Sequence, residues 1–325
     1  MKLSIRKYLA AMIAAFLLTG AAHAADPIRI GYSDWPGWVA WEVGIEKDWF
    51  KEAGVDVQFE WFDYVASMDA FAAGKLDAVA MTNGDTLVTG STGAKSVMFL
   101  INDYSNGNDM VVGAPGIKSI KDLKGKKVGV EIGFVGHLIL LNALKDNGMS
   151  EKDVELVNVP TNETPQVLAS GQVAAIVAWQ PNSGQALKLV PGSKKLYSSA
   201  DKPGLIYDML AASPQSYSAR KADYAKIAKV WYRIVEYIQN PKTHDDAIAI
   251  MASRVGLKPK QYAEIVKGTK ILTLKEAKSF FKKAKGFKSI YGSTKISDDF
   301  NVANKVYKKP ENIDSYIDSS IIDKM

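Results

Sequence analysis

The sequence alternates short apolar runs with amphipathic segments of helical length, and this alternation limits the possible folds more than any other feature. In the first third of the chain, strands are predicted at 28–32, 55–61, 78–81 and 97–101. Helices are predicted between them, starting at 38–46 and at 67–73. Such a succession of strands and helices predicts an α/β fold, with a parallel sheet covered by helices on both faces.

A second unit of the same kind begins near residue 113. Its strands are predicted at 128–131, 154–159 and 174–178, and its helices at 137–147 and 165–169. The chain becomes strand-like again at 205–212. Beyond residue 222 amphipathic helices dominate, and their apolar face is assigned to the core: Ile227, Val230, Trp231, Ile234 and Ile238.

These units predict two lobes, one of them discontinuous in sequence. Residues 26–112 and 206–325 are assigned to lobe 1, and residues 113–205 to lobe 2. The chain then crosses between the lobes twice, near 111–115 and near 203–208, which makes a two-strand hinge with a cleft beneath it. In open α/β sheets ligands bind beyond the carboxyl ends of the strands, so the loops at those ends are expected to line the cleft.

The first 25 residues have the pattern of a secretory signal peptide. Lys2, Arg6 and Lys7 precede an apolar run at 8–18, and Ala22-His23-Ala24 resembles a cleavage site. The chain has no cysteine, which excludes a lipid anchor on a first mature Cys, a disulfide framework and thiolate chemistry. We therefore expect cleavage near Ala25 and a mature protein that works outside the cytoplasm, in the periplasm.

Aromatic and acidic residues recur where the predicted strands end. The stretch GYSDWPGWVAW, directly after the first strand, contains three tryptophans and an aspartate in eleven residues. An Asp in such a place is often only a helix cap, and for Asp85 and Asp103 capping and ligand contact are both open. The candidate ligand-binding residues are Asp34, Trp35, Trp38, Asp63, Asn83, Asp85, Asp103, Glu131, Phe134, Trp179, Gln180 and Asp208.

Evidence for catalysis is weak in this sequence. His137 and His244 are the only histidines after the signal peptide, and neither has the spacing of a metal-binding motif. A nucleophile elbow and a P-loop are also absent from the sequence. No basic patch with interleaved aromatics suggests nucleic-acid binding. We therefore expect a binding protein rather than an enzyme, with no catalytic residues, cofactor or metal.

Taken in order along residues 27–240, several motifs together resemble one known family. They are IRIGYSDWPGW, FAAGKLDAVAMTNGD, SIKDLKGKKVGVE, ETPQVLASGQVAAIVAWQPN and GLIYDMLA. The combination resembles the extracytoplasmic binding proteins of ABC importers, of the nitrate/sulfonate/taurine type, and is similar to the branch associated with urea-carboxylase-type nitrogen assimilation. The resemblance implies a type II periplasmic-binding-protein fold, and a monomer that delivers a small solute to a membrane permease and its ATPase.

The charge of the expected ligand follows from what the strand ends contain. Sulfonate- and nitrate-type relatives generally place small hydroxyl residues at a helix start, whereas this chain has Glu131-Ile132-Gly133-Phe134-Val135-Gly136 there. No Arg lies in the predicted strand-end loops, and a desolvated anion without such a partner is costly to bury. Aromatic faces and carboxylates suit a nitrogen-rich cation or amide, of the guanidine, urea or amine type.

Two alternatives remain at the level of sequence. The free helix start at 133–136 could hold the anionic end of taurine, a sulfonate or another oxyanion. Pyrimidine-synthesising enzymes also resemble this family, but they need a reactive group such as histidine in the cleft.

Overall fold

The computed structural model describes residues 26–325, so the predicted signal peptide lies outside the described residues. This part of the chain contains eleven strands: β1 (Ile28–Tyr32), β2 (Val57–Trp61), β3 (Ala78–Thr82), β4 (Val97–Ser105), β5 (Met110–Gly113), β6 (Lys127–Val130), β7 (Glu155–Asn158), β8 (Ala175–Ala178), β9 (Lys194–Ser198), β10 (Tyr207–Ala212) and β11 (Thr269–Ile271). They form two separate sheets. We call the part of the chain built on each sheet lobe 1 and lobe 2.

The strands are connected mainly by helices. In residues 26–325 these are α1 (Trp41–Glu46), α2 (Trp49–Glu52), α3 (Tyr64–Ala72), α4 (Asn83–Ser91), α5 (Val135–Asp146), α6 (Thr164–Ala169), α7 (Asn182–Leu189), α8 (Pro214–Ala219), α9 (Lys221–Gln239), α10 (His244–Arg254), α11 (Pro259–Val266), α12 (Leu274–Phe280) and α13 (Ile290–Ala303). Short 3₁₀ turns occur in the loops, and two of them, at 120–123 and 151–153, precede β6 and β7.

Both sheets are mixed rather than purely parallel. The first has the order β11-β4-β10-β3-β1-β2, with β1 parallel to β2 and β3, and β10 antiparallel to β3 and β4. The second has the order β7-β6-β8-β5-β9, with β5 antiparallel to β8 and β9. The expectation of a parallel sheet is correct only for the strands joined by helical crossovers. β5 and β10, the first strand after each crossing between the sheets, run the other way.

Lobe 2 contains five strands, whereas the sequence analysis predicted three. β5 has only four residues, and β9 begins with two exposed lysines, so neither has the apolar pattern that made the other strands recognisable. β5 begins at Met110, although 110–112 had been assigned to lobe 1, because it pairs with β8 and β9. The remaining lobe boundaries stay a prediction.

The chain passes between the sheets at 106–109 and again at 199–206, and the two segments lie side by side. The hydroxyls of Ser105 and Ser199 are 2.6 Å apart, and the Gly107 amide donates to Ser199 Oγ at 2.7 Å. Asp109 is the last residue of the first crossing, and Asp208 follows the second by one strand residue. Both crossings therefore deliver an aspartate to the junction of the lobes.

The apolar face of α9 packs against lobe 1, where Trp231 of α9 contacts Trp41 of α1. Trp231 is fully buried, and its ring centroid lies 4.5 Å from that of Trp41 in α1. Ile227, Ile234 and Val235 are buried on the same face. The spacing of these residues is that of an amphipathic helix. The core assignment of Trp231 is confirmed by its complete burial.

Replacing Trp231 by Ala is expected to lower the free energy of unfolding by about 3–5 kcal/mol, because the change leaves a cavity in a packed core. Equilibrium denaturation measures the loss. Lys229→Ala is the control, since Lys229 is exposed on the opposite face of the same helix, and it should change stability by less than about 0.5 kcal/mol. Equal effects of the two substitutions would contradict the assignment.

Candidate ligand-binding site between the two lobes

A small cavity lies where the carboxyl ends of the strands of both lobes meet. The space in it that a water-sized sphere can occupy is about 10 Å³, room for about one water molecule and far below the roughly 300–1,000 Å³ of pockets that hold drug-sized ligands. Residues from both lobes and from both crossings enclose it. The lining consists of Trp35, Trp38, Tyr64, Thr82, Asp109, Val135, Trp179, Ile206 and Asp208.

A second space adjoins this inner cavity and shares Tyr64 and Trp179 with it; a water-sized sphere can occupy about 90 Å³ of this space. We call it the outer cavity. Its lining consists of Asp34, Trp61, Phe62, Asp63, Tyr64, Glu131, Thr161, Asn162, Trp179 and Asn182. Among the described residues, no Lys, Arg or His lines either cavity.

Four aromatic rings form walls of the inner cavity. The rings of Trp38 and Tyr64 are stacked, with centroids 5.4 Å apart and an interplanar angle of 26°. Trp179 of lobe 2 meets Tyr64 edge-on at 5.3 Å and 83°, and Trp35 lies 6.4 Å from Trp38. Because these rings are held by contacts with one another, their faces present a preformed negative electrostatic surface.

Asp34 bridges the two lobes. Its Oδ1 accepts a hydrogen bond from Trp179 Nε1 at 2.9 Å, and its Oδ2 accepts one from Asn182 Nδ2 at 2.7 Å. Burial raises the pKa of Asp34, although both hydrogen bonds act in the opposite direction. Both carboxylate oxygens are therefore occupied by donors of the facing lobe.

Glu131 and Asp85 are also satisfied by neighbouring donors. Glu131 accepts from the Thr161 amide at 3.0 Å and from its hydroxyl at 3.1 Å, and burial raises the pKa of Glu131 to about 7. Asp85 Oδ2 accepts from the Tyr64 hydroxyl at 2.6 Å, and burial raises the pKa of Asp85 to about 6. The backbone amide of Val135, at the start of α5, counteracts that rise across the lobe interface.

Capping does not explain the position of Asp85. The N-cap of α4 is Thr82, whose hydroxyl accepts from the Asp85 amide at 3.1 Å. The Asp85 side chain is left free to bind Tyr64 instead. Asp103 lies inside β4 and is likewise not a cap.

Asp103 and Asp208 form a close pair on adjacent antiparallel strands. They are directly paired in the register of β4 and β10, and Trp35 Nε1 donates to Asp103 Oδ1 at 2.9 Å. Burial raises the pKa of Asp103 to about 7. Burial and the charge of Asp103 raise the pKa of Asp208 well above its usual range. Two carboxyl groups on directly paired residues favour a single shared proton, which leaves the pair with one negative charge.

The backbone of Gly37 packs directly against the Asp103 carboxylate. A Cβ at this position would collide with the carboxylate of Asp103. Trp35, Gly37 and Trp38 belong to the turn after β1, so the close backbone approach seals the buried carboxylate beneath the aromatic wall. Only glycine permits that approach.

Asp109 is an acidic residue of the inner cavity, and the Ser105 hydroxyl is the side chain that compensates its burial. It is 3% exposed, and its Oδ2 has no hydrogen-bond partner within the described chain. Burial raises the pKa of Asp109 to about 7. Two other atoms on the cavity wall share this lack of a partner, Asp208 Oδ2 and the indole Nε1 of Trp38.

The structure brings most of the candidate residues together. Trp35, Trp38, Trp179 and Asp208 line the inner cavity, and Asp34, Asp63, Glu131 and Trp179 line the outer one. Asp85 and Asp103 lie directly behind the walls, bonded to Tyr64 and Trp35. Besides Asp85 and Asp103, three further candidates lie outside both linings: Asn83, Phe134 and Gln180.

These three residues have other surroundings. Asn83 Nδ2 donates to Ser293 and Thr294 of α13, and its oxygen accepts from the Tyr207 amide, so it joins two elements of lobe 1. Phe134 is the N-cap position of α5 and is partly exposed. Gln180 Oε1 is buried against Gly184 in the turn before α7.

Several lining residues were not among the candidates. Tyr64, Thr82 and Asn182 follow strands, and their position could have indicated them. Asp109 lies in the polar stretch SNGND at 105–109, which reads as an ordinary turn because the short strand after it was not recognised. Its role depends on a crossing that has no local sequence signature.

A larger groove of the described structure lies elsewhere. The space in it that a water-sized sphere can occupy is about 740 Å³, and the groove is open to solvent and runs beside the edge strand β2. Its arginine is paired, since Arg254 bonds Glu42 at 3.0 Å and stacks on Trp61 at 4.3 Å. We therefore place the candidate site between the lobes, where buried polar groups are unpaired.

Two further observations concern the described residues. Within 26–325 no group of three or more His, Cys, Asp or Glu side chains is arranged to hold a metal ion. Over the same range, no helix is both long and apolar enough to cross a membrane.

Comparison with solved structures defines the class of fold. The periplasmic aliphatic sulphonate binding protein of Escherichia coli superimposes with a TM-score of 0.73 at 18% identity, covering 92% of this chain and 99% of that one. The periplasmic nitrate-binding protein of Synechocystis gives 0.70 at 10% identity, covering 92% and 87%. The protein thus has the two-lobe α/β fold of periplasmic binding proteins, as the sequence analysis predicted.

The family follows from sequence. Residues 36–243 match the family model described as NMT1/THI5 like, and the protein belongs to this family. It is also 32% identical over 199 residues to a protein of Brucella abortus that is named as a binding protein. That alignment covers 60% of this chain and 61% of the relative.

Replacing Asp109 by Asn is expected to stabilise the unliganded protein at pH 8, by on the order of 1–2 kcal/mol. The raised pKa means that the native state holds a proton that the unfolded state has released. Wild-type stability therefore falls as pH rises from about 4 to about 7. The Asn side chain does not ionise, so the variant does not lose this stability as pH rises. Thermal or denaturant unfolding at both ends of that range measures the difference, and a variant less stable than wild type at pH 8 would contradict it.

Proposed function

We propose that the protein is the extracytoplasmic solute-binding component of an ABC importer, and that its ligand is a small nitrogen-rich cation or amide of the guanidine, urea or amine type. The assignment to an importer is supported by the fold and by the names of the family relatives. A role in nitrogen uptake, a periplasmic location and membership of the urea-carboxylase-associated branch belong to the same proposal.

The observation that carries the choice of ligand is the charge of the site. Asp85, Asp103, Asp109, Glu131 and Asp208 are buried, and Asp34 is half-buried, around cavities whose described lining contains no basic side chain. Desolvating carboxylates without a positive partner is costly. A cation placed among them would recover part of that cost, and each aromatic face would contribute roughly 0.5–2 kcal/mol more.

An oxyanion such as taurine, a sulfonate or nitrate is the second candidate. Two structural neighbours are named for sulphonate and nitrate binding, and α5 begins at the cavity without a side-chain cap. However, the amides at this helix start already face acceptors of the protein itself. The Asp85 carboxylate faces the Val135 amide. His137 Nδ1 accepts from the Gly133 amide at 3.3 Å, and Asn158 Oδ1 accepts from the Ile132 amide at 3.0 Å. These contacts favour the cation.

A pyrimidine-synthesising enzyme is supported least. Such a reaction needs a reactive group such as histidine in the cleft, and neither His137 nor His244 lines the inner or the outer cavity. His137 is instead buried at the start of α5, where its Nε2 lies 3.4 Å from Glu151. Burial lowers the pKa of His137.

A thermal-shift screen of the purified mature protein tests the proposal directly. The compounds are guanidinium, urea, primary amines, taurine, alkanesulfonates and nitrate, each in the same buffer and ionic strength. A ligand at about 100 times its Kd adds on the order of 2.7 kcal/mol to the stability. We expect stabilisation by a nitrogen base. Stabilisation by an alkanesulfonate or nitrate alone would overturn the choice of ligand. Turnover of a bound compound would instead support the hypothesis that the protein is an enzyme.

The pH dependence of binding provides an independent test. Asp109 and Glu131, with pKa values raised to about 7, are partly protonated in the unliganded protein. A bound cation favours their charged forms and releases protons. Affinity should therefore rise with pH between about 5.5 and 8, by up to about tenfold per pH unit for each proton released. Titration calorimetry in buffers of different ionisation enthalpy counts the protons, and proton uptake with falling affinity would indicate an anion.

A further inference from the structure

The hydrogen-bonding capacity of the buried acids is unevenly used. Asp34 and Glu131 each accept two hydrogen bonds from the protein, one on each oxygen. Asp85 accepts from Tyr64 and faces the Val135 amide. Asp103 Oδ1 accepts from Trp35, while its Oδ2 has no donor but lies against Gly37, and Asp103 is not part of the inner cavity lining. None of these four acids therefore offers a free oxygen to a ligand in the inner cavity.

Asp109 and Asp208 differ from the other four. Both are at least nine-tenths buried, at 3% and 2% exposure, and both line the inner cavity. Each has a carboxylate oxygen, Oδ2, that no donor of the described residues reaches. For Asp208, the neighbouring carboxyl of Asp103 adds to the effect of burial and raises the pKa further. A buried acceptor without a donor is destabilising, and more so when it is charged.

Their position in the chain makes this arrangement specific. Asp109 ends the first crossing between the lobes, and its backbone is fixed by the Ser199 amide, which donates to the Asp109 carbonyl at 2.9 Å. Asp208 follows the second crossing, where β10 is held between β3 and β4. Both acceptors are therefore carried by the hinge, at the closed end of the cavity and away from the outer opening lined by Asp63.

We propose that Asp109 and Asp208 are the ligand-binding acceptors, and that the ligand is accordingly a compact group with at least two N–H donors on its polar or charged centre. This inference rests on the proposed function and narrows it. The class includes amidinium, guanidinium, primary ammonium and urea-type groups. It excludes fully methylated ammonium compounds, which the aromatic walls alone would accept.

The reason for the exclusion is hydrogen bonding rather than charge. A quaternary ammonium ion can face the rings of Trp38, Tyr64 and Trp179, but it has no N–H to direct at the two Oδ2 atoms. It would displace water from the cavity and leave both acceptors unsatisfied. Hydrogen bonds to charged groups contribute about 1.5–3 kcal/mol each, so two of them separate the classes strongly. The unpartnered Trp38 N–H can donate a hydrogen bond to an oxygen of the ligand, which is why urea-type groups belong to the class.

The test compares guanidinium, methylammonium, urea and tetramethylammonium at millimolar concentration, as chloride salts or neutral solute at constant ionic strength. Each is titrated against wild type and against Asp109→Asn, Asp208→Asn and Asp69→Asn. Asp69 is exposed on α3 and lines neither cavity. The substitution Asp69→Asn removes the same formal charge outside the site, so it is the matched control. Unfolding of each unliganded variant confirms that it is folded.

We expect at least one N–H-bearing probe to bind wild type and Asp69→Asn equally, and to bind Asp109→Asn and Asp208→Asn at least about tenfold more weakly. Tetramethylammonium should not bind. If tetramethylammonium binds as well as the best N–H probe, or if the hinge variants bind like Asp69→Asn, the inference is wrong while a cation-binding function survives. Binding of taurine, alkanesulfonate or nitrate alone overturns both, and failure of every N–H probe to bind overturns the inference.

Discussion

Desolvated carboxylates are the constraint around which the region between the lobes is organised. Each of the six acids must be stabilised by a donor, share a proton, or remain unsatisfied, because no basic side chain of the described residues lines the cavities. Hydrogen bonds to carboxylates consequently hold four residues in place: Trp35, Tyr64, Trp179 and Thr161. The three aromatic residues are also held by ring packing. The aromatic walls and the acidic cluster therefore form one interdependent structure, in which a change in one group alters the pKa and position of the next.

This arrangement also connects ligand binding to the contact between the lobes. Trp179 and Asn182 of lobe 2 donate to Asp34 of lobe 1, while Asp85 of lobe 1 faces the start of α5 in lobe 2. These interactions join the two lobes directly. If the ligand is the cation proposed above, its charge at the hinge offsets the repulsion among the carboxylates that the two crossings bring together. The same carboxylates then contribute both to the contact between the lobes and to the choice of ligand.

The sequence was sufficient for the overall fold, and for part of the site. Buried strands such as β1 and β3 have apolar runs that are recognisable alone, and the residues at their ends, including Asp34, Trp35 and Trp38, were identified from that position. β5 and β9 were missed because their pairing, rather than their composition, makes them strands. Missing β5 concealed the end of the first crossing, and with it Asp109. Asn83 shows the opposite error, since its strand-end position gave no indication that its side chain would bond α13.

The charge of the ligand cannot be transferred along with the fold. Neighbours that are named for sulphonate and nitrate share the two-lobe architecture at 18% and 10% identity, a level at which the local chemistry of the strand ends is free to differ. In this protein the start of α5, where a helix dipole could receive an anion, faces the carboxylate of Asp85 instead. An external anion would have to displace that carboxylate and approach five others, whereas a cation meets only acceptors and ring faces. Local electrostatics, rather than fold similarity, therefore determines which solutes this cleft favours.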